Sequence, residues 1–90
     1  MRNRCPVCGY DGLIEPAWQG NLSSFEICPC CGTQFGYHDS IHDDPERLAE
    51  RHMELRQAWI AGGMRWHGVK PPPPDWSPEK QLVEIDSPPS

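Results

Sequence analysis

Cys5-Pro6-Val7-Cys8-Gly9 and Cys28-Pro29-Cys30-Cys31-Gly32 are two copies of one phrase, C-P-x-C-G, with 19 residues between Cys8 and Cys28. That spacing falls within the C-x2-C, about 15–20 residues, C-x2-C arrangement of a four-thiolate zinc site. Two cysteines three positions apart, bridged by a tight turn, can place both sulfurs on one ion. Glycine after the second cysteine permits a positive φ, which lets backbone N–H groups point at the thiolates and offset their charge. Proline after the first cysteine stiffens the turn. The expected ligands are Cys5, Cys8, Cys28 and Cys31, holding one Zn2+ per chain. Iron is the alternative, because a tetrahedral set of four sulfurs serves either metal. Cys30 occupies the x position, as Val7 does in the first knuckle, and is expected to point away from the ion as a structural thiol. Its functional reading is a reactive or redox-sensing thiol beside the metal. Two pairs, each followed by glycine, argue against a thioredoxin-type dithiol.

The composition explains why a metal matters. Leu, Ile, Val and Phe total 15 of 90 residues, below the ~20% at which a chain struggles to form a core. A structural zinc can close that gap, since its apparent binding energy of ~10–16 kcal/mol becomes folding energy. Four Trp residues supply further apolar surface. The formal net charge is −5, with only eight Lys and Arg, so binding to nucleic acid through a basic face is not expected. Arg2, Arg4, Arg65 and Lys70 are the only support for a nucleic-acid-binding ribbon. No apolar run approaches the ~18 residues of a membrane span, and no secretory segment is seen. Five cysteines, an odd number set in tight pairs, point to reduced, metal-bound thiols in a cytoplasm.

The chain divides into a ribbon module, residues 1–44, and residues 45–90, a helix plus proline-rich wrap expected to pack on the ribbon as one domain. Ser24-Phe25-Glu26-Ile27 alternates polar and apolar before the second knuckle, as a half-buried strand would. Asp44 is a candidate N-cap, with Pro45 first in a helix that runs to about Ala61 and stops at Gly62-Gly63. Leu48, His52, Leu55 and Trp59 fall on one face, widened by Ala49, Met53 and Ile60, with charge mostly opposite. Pro71–Pro74 reads as an extended segment. Ser77-Pro78 opens a second, short helix, and Asp86–Ser90 reads as a loose tail. The fold class is a small metal-stabilised α+β domain, zinc-ribbon or rubredoxin-like, with one main helix.

Two family likenesses attach to these residues. The two knuckles, with Tyr10 after the first, resemble rubredoxin, which would imply one iron and electron transfer. The stretch between them is about ten residues short for that family, and the long helix is foreign to it. Phe25-Glu26-Ile27-Cys28-Pro29-Cys30-Cys31-Gly32, downstream of the C-P-x-C-G-Y phrase, resembles the bacterial cysteine-rich CPCC proteins over about residues 5–44. That likeness implies a small zinc-ribbon-like protein of bacteria, acting in a toxin–immunity setting in some members. Residues 45–90 match neither family.

His38 and His42, four apart beside Asp39, Asp43 and Asp44, are candidates for a second metal, against a solvated acidic loop as the plainer reading. His52 is expected to be a satisfied core or boundary histidine, and His67 a surface residue. Trp59, Trp66 and Trp76 are expected to cover the ribbon and pack with the prolines, or to offer an aromatic docking face. Four thiolates close a zinc shell, whereas a catalytic zinc keeps an open position. No general base or phosphate loop is recognisable, so no enzyme and no small-molecule substrate is expected. The expectation is a noncatalytic zinc-binding protein whose partner is another protein, with iron electron transfer as the rival.

Overall fold

A computed structural model describes residues 3–86 of the 90-residue chain. Arg2 and residues 87–90 of the expected tail lie outside the described residues. The fold is a small α+β structure. The elements are β1 (Trp18–Gln19), β2 (Leu22–Ser23), α1 (Pro45–Ala61) and α2 (Pro78–Asp86). Asp86 therefore closes a helix rather than opening a tail.

Both knuckles fold by the same backbone rule. In the first, Cys5 N–H donates to Tyr10 O at 2.7 Å and Gly9 N–H to Cys5 O at 3.0 Å. In the second, Cys28 N–H donates to Thr33 O at 2.9 Å and Gly32 N–H to Cys28 O at 2.8 Å. One antiparallel bridge flanks each, Asn3 with Leu13 and Ile27 with Gln34. Between the knuckles, β1 and β2 form a two-stranded antiparallel hairpin, with Trp18 opposite Ser23 and Gln19 opposite Leu22.

The strand expected over Ser24–Ile27 does not form. The extended pair is Leu22–Ser23, and Phe25 turns out of the ladder with φ +60°. One local bond competes with the ladder. Ser24 Oγ takes the Glu26 N–H at 3.1 Å, the kind of side-chain bond that competes with a ladder. The Glu26 carboxylate is also occupied, accepting from Ile14 N–H at 2.9 Å and Glu15 N–H at 3.2 Å. Phe25 and Ile27 are left 61% and 52% exposed. Only the isolated Ile27–Gln34 bridge remains of the expected pairing.

α1 starts and stops as its caps dictate. Asp44 is the N-cap, its carboxylate accepting from Arg47 N–H at 3.2 Å, and Pro45 opens the helix. At the other end Gly63 takes a positive φ and Met64 N–H returns to Trp59 O. Its inward face differs from the expected stripe. Leu48, Leu55 and Trp59 are partly buried, but Ala49 and Met53 are exposed, and the two buried residues are His52 and Arg56. The charge was expected on the outer face; a cation sits on the inner one.

The core consists of Cys5, Val7, Cys8, Leu13, Ala17, Cys28, Cys30 and Phe35. Cysteine supplies half of it. Around it lie Tyr10, Leu55 and all four Trp rings. Tyr10 packs edge-on against Trp66, and Trp66 against Trp76. Every indole N–H has an acceptor: Asp39 for Trp18, Arg65 O for Trp59, Lys70 O for Trp66 and Gln81 for Trp76. The tryptophans thus act mainly as cover, as expected of a chain short of aliphatics. The proline run ends in a turn rather than extending throughout, with Trp76 N–H donating to Pro73 O at 3.0 Å.

Asp39 anchors α1 to the ribbon. Placed by sequence in a solvated acidic loop, it has no exposed surface. Its carboxylate accepts from His52 Nε2 at 2.6 Å, from Trp18 Nε1 at 2.9 Å and from Gly36 N–H. Burial pushes this carboxyl up, but the His52, Trp18 and Gly36 bonds outweigh it and hold the group below its ordinary value. A depressed carboxyl stabilises the fold fully above its unfolded value, near ~3.9, and loses that contribution as pH falls through the native one. Asp39→Asn is therefore expected to cost about 2–4 kcal/mol near neutrality. The gap to wild type should hold down to about pH 5 and close at lower pH. Urea melts of both proteins across that range check it.

Candidate metal centre

The structure brings Cys5, Cys8, Cys28 and Cys31 together, with their Sγ atoms all within 4.8 Å of one another. Cys5 Sγ lies 3.8 Å from Cys31 Sγ, and Cys8 Sγ lies 3.8 Å from Cys28 Sγ. A tetrahedron with metal–sulfur bonds of ~2.3 Å has sulfur–sulfur edges of about 3.8 Å. The distances are far beyond the ~2.05 Å of a disulfide, and all five cysteines are free. Four such sulfurs can hold a metal ion.

The electrostatics favour a cation. Cys8 is pushed up, first by its contact with Cys28 and further by Cys30, Cys31 and burial. Cys28 is pushed up by Cys31, Cys5 and burial. Cys31 is drawn down, first by the Cys28 thiol, then by Cys5, with Thr33 adding to it. One sulfur can ionise at its neighbours' expense, but four cannot without a compensating positive charge. The backbone supplies part of it, since Val7 N–H donates to Cys5 Sγ at 3.4 Å.

The turns that aim the sulfurs need their glycines. Gly9 has φ +88° and Gly32 φ +81°. Both are also closely covered. A Cβ on Gly9 would strike Gln81 O, and one on Gly32 would lie 2.7 Å from His67 Nδ1. The covering segments all come from residues 45–86. Arg56 Nε donates to Val7 O at 2.8 Å and Nη2 to Pro6 O at 3.0 Å. His67 N–H donates to Cys30 O at 3.0 Å, and Gly68 N–H to Pro29 O at 2.8 Å. Gln81 Nε2 donates to Cys8 O at 3.0 Å. The outward carbonyls of both knuckles are thus bonded by distant residues.

Cys30 stands outside the group of four. It is fully buried, and its Sγ accepts from Gln81 Nε2 at 3.1 Å. Trp76 holds that amide in place through Gln81 Oε1. His38 and His42 do not converge. His38 Nδ1 accepts from Gln34 N–H, whereas His42 Nδ1 meets Asn21 O and its ring packs on Trp18. Among the described residues the four cysteines are the one cluster arranged for a metal. His52 is the satisfied boundary histidine expected, and His67 is exposed with its ring over Gly32.

Arg56, Gln81 and Asp39 escaped the sequence reading. Arg56 lies four residues after His52 on the inward face, which was the available signal. The anchoring partners of Gln81 and Asp39, Cys8 and His52, lie 73 and 13 residues away.

The chain is similar to two uncharacterised proteins of Bacillus subtilis strain 168. YoaQ is 41% identical over 70 residues, covering 67% of this chain and 58% of its own length. YozI is 35% identical over 72 residues, covering 68% of this chain and 59% of its own length. The chain thus spans less than two thirds of these relatives. No family model matches it, and no solved structure matches it. Among the described residues, no helix is long and apolar enough to cross a membrane.

Proposed function

We propose that this chain is a noncatalytic zinc-binding module of the zinc-ribbon-like CPCC kind, working through contacts with another protein in a bacterial cytoplasm. The observation that carries the reading is the group of four Sγ atoms, with two cross-knuckle distances at the edge length of a tetrahedral thiolate site. Bound there, a dication would keep the thiolates ionised and tie the two knuckles together. Four protein donors leave no position for a substrate or an activated water, which supports a structural rather than catalytic ion. The CPCC likeness rests on the Phe25–Gly32 phrase, and a toxin–immunity setting is the role that likeness suggests.

Native mass spectrometry of protein from its own cells tests the reading. The expected mass is the chain plus one zinc, colourless and without turnover, with any partner protein carried along. Protein isolated without metal would remove the basis of the proposal. Red, iron-loaded and redox-active protein would establish the rubredoxin-like alternative instead.

A further inference from the structure

We propose that Cys31 is the reactive sulfur of the centre, and that the hollow beside it seats a small, soft carbon electrophile. This rests on the metal reading above and deepens it. Cys5, Cys8, Cys28 and Cys30 have no exposed surface, whereas Cys31 is partly exposed. Cys31 lines a cavity of about 250 Å3 whose far wall is Leu55, Ala58 and Trp59 of α1. Thr33 and His38 line it too. Thr33 Oγ1 lies 3.3 Å from Cys31 Sγ, placed to donate to the sulfur once it is ionised. The seat therefore offers one reachable sulfur, an apolar wall for an alkyl group and a hydroxyl to hold the nucleophile.

Thiolates, not thiols, attack electrophiles. With an ion bound, the four sulfurs would be held as thiolates and would share a net negative charge. Reactivity then goes to the sulfur that a reagent can reach. The Cys31 Sγ lone pair forms an S–C bond while the carbon's bond to its leaving group breaks. The leaving group departs with the bonding pair, and no proton would move, because the bound ion would already hold the sulfur as a thiolate. The product is a thioether on Cys31, a weaker donor than a thiolate. The site would thus accept an alkyl group once per chain and report it by loosening one corner of the centre.

Cys30 lies outside the four and would ordinarily be the thiol available for labelling. It is instead sealed, with its sulfur bonded to the Gln81 amide beneath Trp76.

Timed labelling of the full chain with iodoacetamide, followed by peptide mapping, tests the proposal. Native mass spectrometry first establishes that the unlabelled protein carries its ion. The expected result is a first adduct on Cys31, forming about tenfold faster than any on Cys30. Ala58→Phe, a change at an exposed helix position that fills the wall, should slow the Cys31 reaction several-fold. A first adduct on Cys30, or on a first-knuckle cysteine, would overturn the proposal. So would an unchanged Cys31 rate in the folded Ala58→Phe protein. An inert Cys31 in ion-loaded protein defeats this proposal alone, while protein without an ion defeats the metal reading and this proposal with it.

Discussion

Cys8→Ala is expected to leave the chain unfolded at 25 °C, even with zinc in excess. A structural zinc contributes ~10–16 kcal/mol in small four-ligand sites, and an ordinary small domain has only ~5–15 kcal/mol of net stability. Here the margin is narrower, because half of the core is made of the cysteines themselves. Without an ion, the clustered sulfurs are only weak hydrophobes. The remaining buried aliphatic and aromatic side chains are Val7, Leu13, Ala17 and Phe35. Cys8 is the sharpest choice, since its sulfur contacts Cys28 and its carbonyl receives Gln81. Far-ultraviolet dichroism and tryptophan fluorescence read the loss. Chelator added to wild-type protein should produce the same unfolded spectrum. A melting curve that ignores the chelator would remove the ion from the account of stability.

Arg56→Met is expected to lower stability by about 3–5 kcal/mol. The guanidinium bonds the Pro6 and Val7 carbonyls from a buried position. Methionine keeps much of the volume but leaves both carbonyls facing an apolar side chain. Two charge-assisted bonds are lost, each of about 1.5–3 kcal/mol. Arg56→Lys should recover little, because one ammonium cannot span two carbonyls as a planar fork does. Chemical denaturation of zinc-loaded protein measures both variants. Equal stability for Arg56→Met and wild type would show that water replaces the guanidinium without cost.

The centre was legible because its signal is local. Two phrases with fixed internal spacing single out four cysteines without knowledge of the fold, and the structure brings those four sulfurs together. Both helix starts were legible for the same reason, since an N-cap followed by proline is a rule about adjacent residues. Ser24–Ile27 shows the opposite case. Alternating polarity suggested a strand, but the Ser24 hydroxyl took the Glu26 N–H and Phe25 turned to a positive φ. Arg56 and Asp39 were misread because charge is normally an outward signal. Their burial is dictated by carbonyls and rings from elsewhere in the chain, and sequence adjacency does not show those.

All five cysteines lie within the first 31 residues, while the groups bonded to the outer faces of the knuckles come from Arg56, His67, Gly68 and Gln81. Synthesis runs from the amino end, so the sulfurs emerge from the ribosome before their covering exists. An ion can enter an open pair of loops at that stage. Once the downstream chain has closed over them, departure of a bound ion would require peeling back three separate segments, so its loss is expected to be slower than its entry.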